Sequence, residues 1–303
     1  MTELGPPAMY SCDKIKAIND AFGKSSNRRE PILRLFVECS KECGVENLNT
    51  ALLGSFMERL HAAVSIIDDI VDGESLRNNI PTFHKRHSPG VAAIASIHLV
   101  LEVIYEACLE CLDIAKITRL LIEMTNAEEA DVGMILRPMD ISPLDWYRKH
   151  SARKTAIEMM LMFEICCPSP PRNDIKQIIL ETTKALGTLL QMTNDWRDFF
   201  IKSPLYRIQD GDFFVVTYSL PFAIYAETNS NFESDLIGKR IDKIDAEDII
   251  SRYTSDDIRA HAKSLITEQH ELVIKQCDFI SNDSIRKAFL EIASMASSGA
   301  YWK

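Results

Sequence analysis

Two short acidic clusters, each at the end of a long apolar stretch with helical spacing, constrain this 303-residue chain more than any other feature. The first cluster runs from Asp68 to Asp72 and the second from Asn194 to Asp198. Positions i and i+4 of a helix project from the same side, so the two residues that bound each cluster can direct oxygen atoms at one point. Two such faces on opposite sides of a cavity would hold magnesium ions and, through them, a diphosphate.

The position of these acids at helix ends favours a bound cation. Carboxylates near a helix C-terminus oppose the helix dipole, which costs free energy unless a positive charge lies nearby. Hard cations with oxygen ligands meet this need, and magnesium is commonly shared between carboxylates and substrate phosphates. Asp69 and Asp195, inside the clusters, are candidate ligands as well. The alternative for a single cluster is a solvated acidic helix end.

The spacing of apolar residues predicts an all-α fold. Hydrophobic residues make up 46% of the chain and recur every three or four positions, with only 11 glycines and 12 prolines to interrupt them. Helices are expected over roughly 31–43, 48–72, 91–110, 113–137, 145–167, 172–201, 218–227 and 255–299, the last with a break near Ser281-Asn282-Asp283. The less regular segment 202–217 is expected to be a mobile loop or lid beside the second cluster. No linker or repeat divides the chain, so one domain over 1–303 is expected, with a loosely organised segment at 1–27.

Charge and composition argue against several classes of partner. The net charge of -10 disfavours nucleic acid and anionic membranes, which are bound by clustered Lys and Arg. The longest apolar stretch, 91–109, contains His98, Glu102 and Glu106, which favours a buried helix over stable membrane insertion. The chain begins with no apolar signal segment, and its eight cysteines lie mainly in helical patterns. We therefore expect a reduced, cytoplasmic protein.

Several motifs, in their order along the chain, resemble those of the trans-isoprenyl diphosphate synthases and the related class I terpene synthases. The first acidic cluster, followed by the segment 77–84, resembles that family's first aspartate-rich motif and its trailing basic element. Lys154-Thr155-Ala156 resembles its Lys-Thr element. Gln191, together with the second cluster, resembles its second aspartate-rich motif, with Asn194 in place of the usual first aspartate. The resemblance covers residues 28 to about 225.

The resemblance implies a bundle of long helices around a central cavity, an isoprenoid synthase-type fold, and a homodimer. It also implies magnesium as the cofactor, with three ions when a diphosphate is bound. Independently of the family, Arg77 and Lys154 are residue types that bind diphosphate oxygens. The predicted metal ligands are Asp68, Asp69, Asp72, Asn194, Asp195 and Asp198. The predicted substrate-binding residues are Arg77, Lys154, Thr155, Gln191 and His61.

The segments that would bind a second diphosphate depart from the family pattern. In the chain-elongating members, isopentenyl diphosphate is bound by cations at positions that this chain fills with Asn27, Glu30, Asn78 and Thr217. His61 remains as the pattern requires. Each charge-assisted hydrogen bond contributes roughly 1.5–3 kcal/mol, so these replacements predict weak binding of a second diphosphate unless Lys24, Arg28 and Arg29 compensate.

Three functions follow from this pattern. The first is magnesium-dependent ionisation of a C15–C20 allylic prenyl diphosphate followed by cyclisation to a terpene. The alternative is a chain-elongating synthase that forms farnesyl or geranylgeranyl diphosphate. A relative that prenylates another acceptor, or that lacks activity, is a further alternative. Aromatic residues near the second cluster, among them Phe199, Phe214 and Tyr218, are candidates to stabilise a carbocation.

The helix that carries Asp68 also predicts the depth of the substrate pocket. A prenyl tail would run along this helix toward its N-terminus, and Val64 and Ala63 lie about 6–7.5 Å below Asp68 at 1.5 Å per residue. Leu60 and Met57 lie one to two turns deeper. Because Ala63 and Val64 are small, we expect a pocket deep enough for a C20 tail, with geranylgeranyl diphosphate preferred.

Overall fold

The computed structural model describes residues 26–45, 50–77, 79–167, 173–207, 213–229 and 236–298. The all-α prediction is confirmed, since strands within these ranges are two residues long. The helices are α1 (Ser26–Glu42), α2 (Thr50–Val71), α3 (Phe83–Arg86), α4 (Pro89–Leu109), α5 (Ile114–Asp131), α6 (Pro143–Lys149), α7 (Arg153–Cys166), α8 (Asn173–Trp196), α9 (Leu220–Thr228), α10 (Lys243–Tyr253), α11 (Asp256–Cys277) and α12 (Asp283–Ser297).

Two small hairpins and an irregular helix end complete the described elements. Strand β1 (Leu76–Arg77) pairs antiparallel with β2 (Ile80–Pro81), and β3 (Phe214–Val215) pairs with β4 (Arg240–Ile241). Helix α8 continues into a π-helical segment, Arg197–Lys202, and then a 3-10 turn. The second acidic cluster therefore spans a change of helix type.

Helices α7 and α8 pack closely because of one glycine. A Cβ atom at Gly187 would lie 2.3 Å from the Cα atom of Ala156, a distance that no side chain could tolerate. The small residues Ala156 and Gly187 thus let the two helix backbones approach. This close approach fixes the register in which Thr155 on α7 faces Gln191 on α8, at 2.7 Å between the Thr155 Oγ1 and Gln191 Oε1 atoms.

The expectation that the apolar helix at 91–109 is buried is wrong. Helix α4 exposes a row of large apolar side chains, with Ile94 at 64%, Leu101 at 57% and Leu109 at 63%. Its charged residues turn inward instead, because Glu102 and Glu106 pair with Arg59 of α2. In the part of the chain that the structure describes, α4 is the one helix whose length and composition would allow it to cross a membrane.

Most predicted helices are found with shifted ends. The helix expected over 113–137 ends at Asp131, because Gly133 adopts a left-handed φ of +72° shortly afterwards. Helix α10 was not predicted. Its N-cap Asp242 accepts a hydrogen bond from the backbone N–H of Asp245, a capping arrangement that the sequence contains. The segment expected to be a loop at 202–217 lies partly outside the described residues, at 208–212.

Candidate active site

A cavity of about 350 Å³ lies between α2, α5, α7 and α8, and it brings together most of the predicted site residues. Both acidic clusters contribute to its lining, the first from the end of α2 and the second from the end of α8. The predicted residues that line it are Met57, His61, Val64, Asp68, Asp72, Arg77, Lys154, Thr155, Gln191, Asn194, Asp195 and Asp198. The two acidic helix faces therefore line the same cavity, as the spacing of their residues predicted.

In the first cluster, the two adjacent aspartates have different environments. Asp68 lines the cavity, whereas Asp69 is 2% exposed and does not. The Arg77 Nε atom donates to Asp69 Oδ1 at 2.7 Å, and its Nη2 atom donates to Asp68 Oδ2 at 3.0 Å. The prediction that Asp69 points into the site is corrected, because its carboxylate is buried against Arg77 and anchors that side chain.

Lys154 is the centre of a buried charge network at the mouth of the cavity. Its Nζ atom lies 2.9 Å from an Asp131 oxygen, 3.1 Å from Glu128 and 3.3 Å from Asp68. Burial alone would lower the pKa of Lys154, but these carboxylates outweigh burial and raise it well above its usual value. Lys154 is therefore a fixed positive charge beside the first cluster.

Asp72 has an oxygen that lacks a partner. Its Oδ1 atom is buried and accepts no hydrogen bond. Burial, followed by the nearby charge of Asp68, raises the pKa of Asp72 well above its usual value. A buried carboxylate without a donor is costly and would gain strongly from a cation.

In the second cluster, Asp195 acts within the protein framework. It is 8% exposed and accepts hydrogen bonds from the Tyr147 hydroxyl at 2.8 Å, the Leu220 backbone N–H at 2.8 Å and the Gln191 amide at 3.0 Å. Burial raises the pKa of Asp195 to about 7, although the hydrogen bonds from Leu220 and Tyr147 oppose this shift. Asp195 thus ties α8 to α6 and to the start of α9, and these three donors already occupy its oxygens.

The other two predicted metal ligands of the second cluster, Asn194 and Asp198, also line the cavity. Asn194 Oδ1 is buried without a hydrogen-bond partner, as Asp72 Oδ1 is. Asp198 lies on the π-helical segment and pairs with its neighbour Arg197 at 2.7 Å. The two clusters therefore each present one unpartnered oxygen and one arginine-paired aspartate to the same cavity.

The charge balance of the cavity fits a divalent cation. Among the described lining residues, eight are Asp or Glu and four are Lys or Arg. A diphosphate could enter this acidic space only with additional positive charge. The unpartnered oxygens of Asp72 and Asn194 suit magnesium, which takes few protein ligands and completes its shell with phosphate oxygens and water. Within the described residues, no group of three or more His, Cys, Asp or Glu is already arranged around a single metal position.

The inner wall is formed by one stripe of α2, and this stripe corrects the pocket prediction. Met57, His61 and Val64 line the cavity below Asp68, since they follow the three- and four-residue spacing of a helix face. Ala63 is 1% exposed and packs toward α4, where Ser96 donates a hydrogen bond to its carbonyl at 2.8 Å. Leu60 is buried in the main core and does not reach the cavity.

Among the described residues, the positions expected to bind a second diphosphate carry no positive charge. Thr217 lines the cavity and Glu30 is exposed. The His61 Nδ1 atom lies 3.1 Å from Glu158 Oε1, which adds a carboxylate at this level. The side chain of Asn27 and the whole of Asn78 lie outside the described residues, as do the side chains of Lys24, Arg28 and Arg29.

Sequence reasoning missed four residues that shape the site: Glu128, Asp131, Tyr147 and Glu158. Burial raises the pKa of Glu128 to about 7. Glu128 and Asp131 are spaced i, i+3 near the end of an amphipathic helix, which is a signal like that of the first cluster. Glu158 follows Lys154 by one helical turn, so its position on the cavity face was also predictable. Nothing in the local sequence indicates that Tyr147 meets Asp195.

Solved structures with this fold include three prenyl diphosphate synthases. The polyprenyl synthase from Caulobacter crescentus CB15, complexed with calcium and isoprenyl diphosphate, has a TM-score of 0.73 at 17% identity, covering 95% of this chain and 90% of that one. Geranylgeranyl pyrophosphate synthase from Lactobacillus brevis ATCC 367 has 0.72 at 18%, covering 94% and 89%. Decaprenyl diphosphate synthase from Rhodobacter capsulatus has 0.70 at 16%, covering 93% and 90%.

The family is shown by sequence. A comparison with curated proteins gives no match. The model of the polyprenyl synthetase family matches residues 15–250, which is most of the chain and includes every predicted site residue. The structural likenesses independently confirm the predicted isoprenoid synthase-type helical fold. The chain therefore belongs to the polyprenyl synthetase family of prenyltransferases, which act on prenyl diphosphates.

Proposed function

We propose that the protein is a magnesium-dependent prenyl diphosphate synthase. It ionises an allylic prenyl diphosphate and joins the resulting prenyl cation to isopentenyl diphosphate. The observation that carries this proposal is the pair of unpartnered buried oxygens, Asp72 Oδ1 and Asn194 Oδ1, on opposite acidic clusters of one cavity. The sequence motifs favour cyclisation, whereas the family model and the related structures support chain elongation better.

The proposed metal ligands are Asp68, Asp72, Asn194 and Asp198. Bound magnesium would supply positive charge that neutralises the leaving diphosphate. Asp69 and Asp195 are not among the proposed ligands, because Asp69 does not line the cavity and the Asp195 oxygens accept hydrogen bonds from Tyr147, Leu220 and Gln191. We propose that they position the residues next to them.

Arg77 and Lys154 are proposed to bind the diphosphate directly. Each has one N–H directed at Asp68 and other N–H groups held by further carboxylates. When Asp68 turns toward a cation, the other carboxylates still anchor both side chains. The N–H group that Asp68 releases on each side chain can then donate to a phosphate oxygen. Two positively charged donors fixed before substrate arrives need little reorganisation as negative charge develops on the leaving group.

The inner cavity is proposed to hold the prenyl tail. Met57 lies eleven residues before Asp68 on α2, which corresponds to about 16 Å along the helix axis. Val64 lies between them and lines the tail channel. Val64→Phe should block this channel and shift substrate preference from geranylgeranyl diphosphate toward shorter chains. Unchanged C20 turnover by this variant would contradict the proposed channel.

A homodimer is proposed from the exposed apolar row on α4. Ile94, Ile97, Leu101 and Tyr105 follow one another at three- and four-residue spacing and are each about half exposed or more. A second copy of the chain could cover this row. Light scattering should give the mass of a dimer for the unmodified protein and of a monomer for the double variant Ile97→Glu, Leu101→Glu. A monomeric unmodified protein would contradict the proposal.

Cyclisation remains a second candidate function, and one observation favours it. Glu30 and Thr217 provide no positive charge at two of the positions through which an elongating enzyme would bind a second diphosphate. A cyclase needs only one diphosphate, so this departure would not weaken it.

Product analysis with pure protein tests these functions. The protein is incubated with magnesium and geranyl, farnesyl or geranylgeranyl diphosphate, with and without labelled isopentenyl diphosphate. We expect longer, labelled diphosphates, which require the second substrate. Hydrocarbon or alcohol formed without isopentenyl diphosphate would indicate cyclisation. Label in another acceptor would indicate acceptor prenylation, and no release of diphosphate in any mixture would contradict a catalytic role.

A further inference from the structure

Two of the cysteines differ from the others in their exposure. Of the seven cysteines that the structure describes, five are buried, whereas Cys108 and Cys111 are exposed. A free cysteine behaves as a small apolar residue and is usually buried. Packing therefore accounts for the five buried cysteines but not for the exposed pair, which lies where α4 ends and the short link to α5 begins.

The turn that ends α4 holds these two cysteines close together. The Cys111 backbone N–H donates to the Cys108 carbonyl at 3.1 Å, and the Leu112 N–H donates to the Ala107 carbonyl at 3.0 Å. A turn closed by a hydrogen bond between its first and fourth residues keeps their Cα atoms within about 7 Å of each other. A disulfide needs Cα atoms about 4.4–6.8 Å apart. The backbone of this turn is therefore compatible with a disulfide between Cys108 and Cys111.

The backbone conformation of Cys111 is unusual for its residue type. Its φ angle is +54°, in the left-handed region, and among the described residues other than glycine only Asn79 and Ser203 share a positive φ. Glycine, and less often asparagine, usually occupies this position after a helix, because a Cβ atom is strained there. The requirements of the turn therefore do not explain a cysteine at position 111, whereas a reaction of its thiol with Cys108 does.

We propose that Cys108 and Cys111 form a surface dithiol that small disulfide compounds oxidise reversibly to an internal disulfide. The thiolate of one cysteine attacks a sulfur of the small disulfide, which forms a mixed disulfide and releases one small thiol. The other cysteine then attacks the mixed disulfide, which forms the Cys108–Cys111 bond and releases the second small thiol. Two protein S–H bonds are exchanged for one S–S bond, and the protons pass to the two released sulfur atoms. The inference does not depend on the proposed function.

Oxidation of the folded protein followed by mass spectrometry tests this proposal. The full chain is incubated with oxidised glutathione, and the remaining thiols are then alkylated and located by peptide mapping. At about 10 µM protein, a second thiol on the same turn, with an effective concentration of about 1 mM or more, should react at least about 100-fold faster than a thiol of another molecule. We expect a Cys108–Cys111 disulfide, a mass lower by two hydrogen atoms, and full reversal by dithiothreitol.

Serine variants separate the internal disulfide from other reactions of the thiols. Cys108→Ser and Cys111→Ser each keep one exposed thiol, so each should stop at the mixed disulfide and gain the mass of one glutathione. Both positions are exposed, so these variants should fold, which circular dichroism checks. Cys12→Ser is the matched control, because Cys12 lies outside the described residues. It should form the Cys108–Cys111 disulfide as the unmodified protein does.

Three outcomes would overturn the proposal. Stable mixed disulfides at both Cys108 and Cys111 of the unmodified protein would show that their sulfur atoms cannot meet. A disulfide that joins two copies of the chain would show that a thiol of another molecule reaches these cysteines first. No reaction of either cysteine with oxidised glutathione would show that the folded protein does not use them as a dithiol.

Discussion

The two acidic clusters present similar sets of oxygen atoms to the cavity but differ in the residues that bind their aspartates. Each has one unpartnered oxygen at the cavity, on Asp72 and Asn194, and one buried aspartate that serves the framework, Asp69 and Asp195. In the first cluster, Asp68 is held by Lys154 from another helix and by Arg77 from β1. In the second cluster, Asp198 pairs with Arg197, its neighbour in the sequence.

The two clusters also differ in how they are joined to the rest of the fold. The first is cross-linked to α7 and to the β1–β2 hairpin, so its geometry is set before any ligand arrives. The cavity aspartate of the second, Asp198, lies on a π-helical segment and pairs with its neighbour Arg197. The first cluster is therefore tied to other elements of the fold, whereas the second spans a change of helix type.

The largest expected effect comes from removing the charge of the first cluster. Asp72→Asn keeps the shape of the side chain but removes the negative charge of a proposed metal ligand, so diphosphate release should fall more than about 100-fold. The variant should fold normally, and its stability without ligand should be equal or slightly higher, because Asp72 repels Asp68. Asp140→Asn, at an exposed position, is the control. Activity above about a tenth of the unmodified level would remove Asp72 from the metal site.

A smaller effect is expected from making the second cluster resemble the first. Asn194→Asp adds a carboxylate at the unpartnered oxygen and should lower the magnesium concentration needed for half-maximal activity, by roughly tenfold, since ligand charge raises cation affinity. Activity at saturating magnesium should change little. A magnesium titration that is unaffected by this substitution would mean that Asn194 does not contact the cation.

The buried aspartate of the second cluster is expected to affect stability more than chemistry. Tyr147→Phe removes one donor from Asp195 and should lower the free energy of unfolding by about 1–3 kcal/mol. The magnesium dependence should not change, because Asp195 is proposed to join α6, α8 and α9 and not to bind the cation. Urea unfolding and magnesium titration of the same preparation separate these effects. A shifted titration with unchanged stability would return Asp195 to the metal ligands.

The smallest effect expected is on the pH dependence of stability. Burial raises the pKa of Glu128 from 4.5 to about 7, so the folded protein binds more protons than the unfolded chain between these values. The contribution of Glu128 to stability is therefore full below about pH 4.5 and is lost as the pH rises through about 7. Urea unfolding at several pH values should show a flatter dependence for Glu128→Gln than for the unmodified protein. The same pH dependence of unfolding in both proteins would contradict the raised pKa of Glu128.

The sequence predicted which residues face the cavity better than it predicted which residues contact one another. Helical spacing correctly predicts that Asp68 and Asp72 face one cavity from the end of α2, and the same spacing could have excluded Ala63, which lies five residues before Asp68 and faces another direction. Local patterns could not reveal that Arg77 binds Asp69 or that Tyr147 binds Asp195. The second contact joins residues that are 48 positions apart, and it depends on how α6 packs against α8 and α9.

The exposure of the apolar side of α4 could not be predicted from composition either. Its apolar content fits a core helix, a membrane span or an interface equally well. What decides its orientation is the pairing of Glu102 and Glu106 with Arg59, which turns the charged side of α4 toward α2. Such a contact between two helices becomes visible only in the assembled fold.

Calorimetric binding of inorganic diphosphate tests the central claim most directly. The claim is that the two clusters bind diphosphate only through divalent cations, since Asp and Glu outnumber Lys and Arg among the described residues that line the cavity. The account predicts saturable binding of diphosphate with magnesium, no measurable binding with a chelator, and loss of binding in Asp72→Asn. Equal binding with and without magnesium, or undiminished binding by Asp72→Asn, would contradict it.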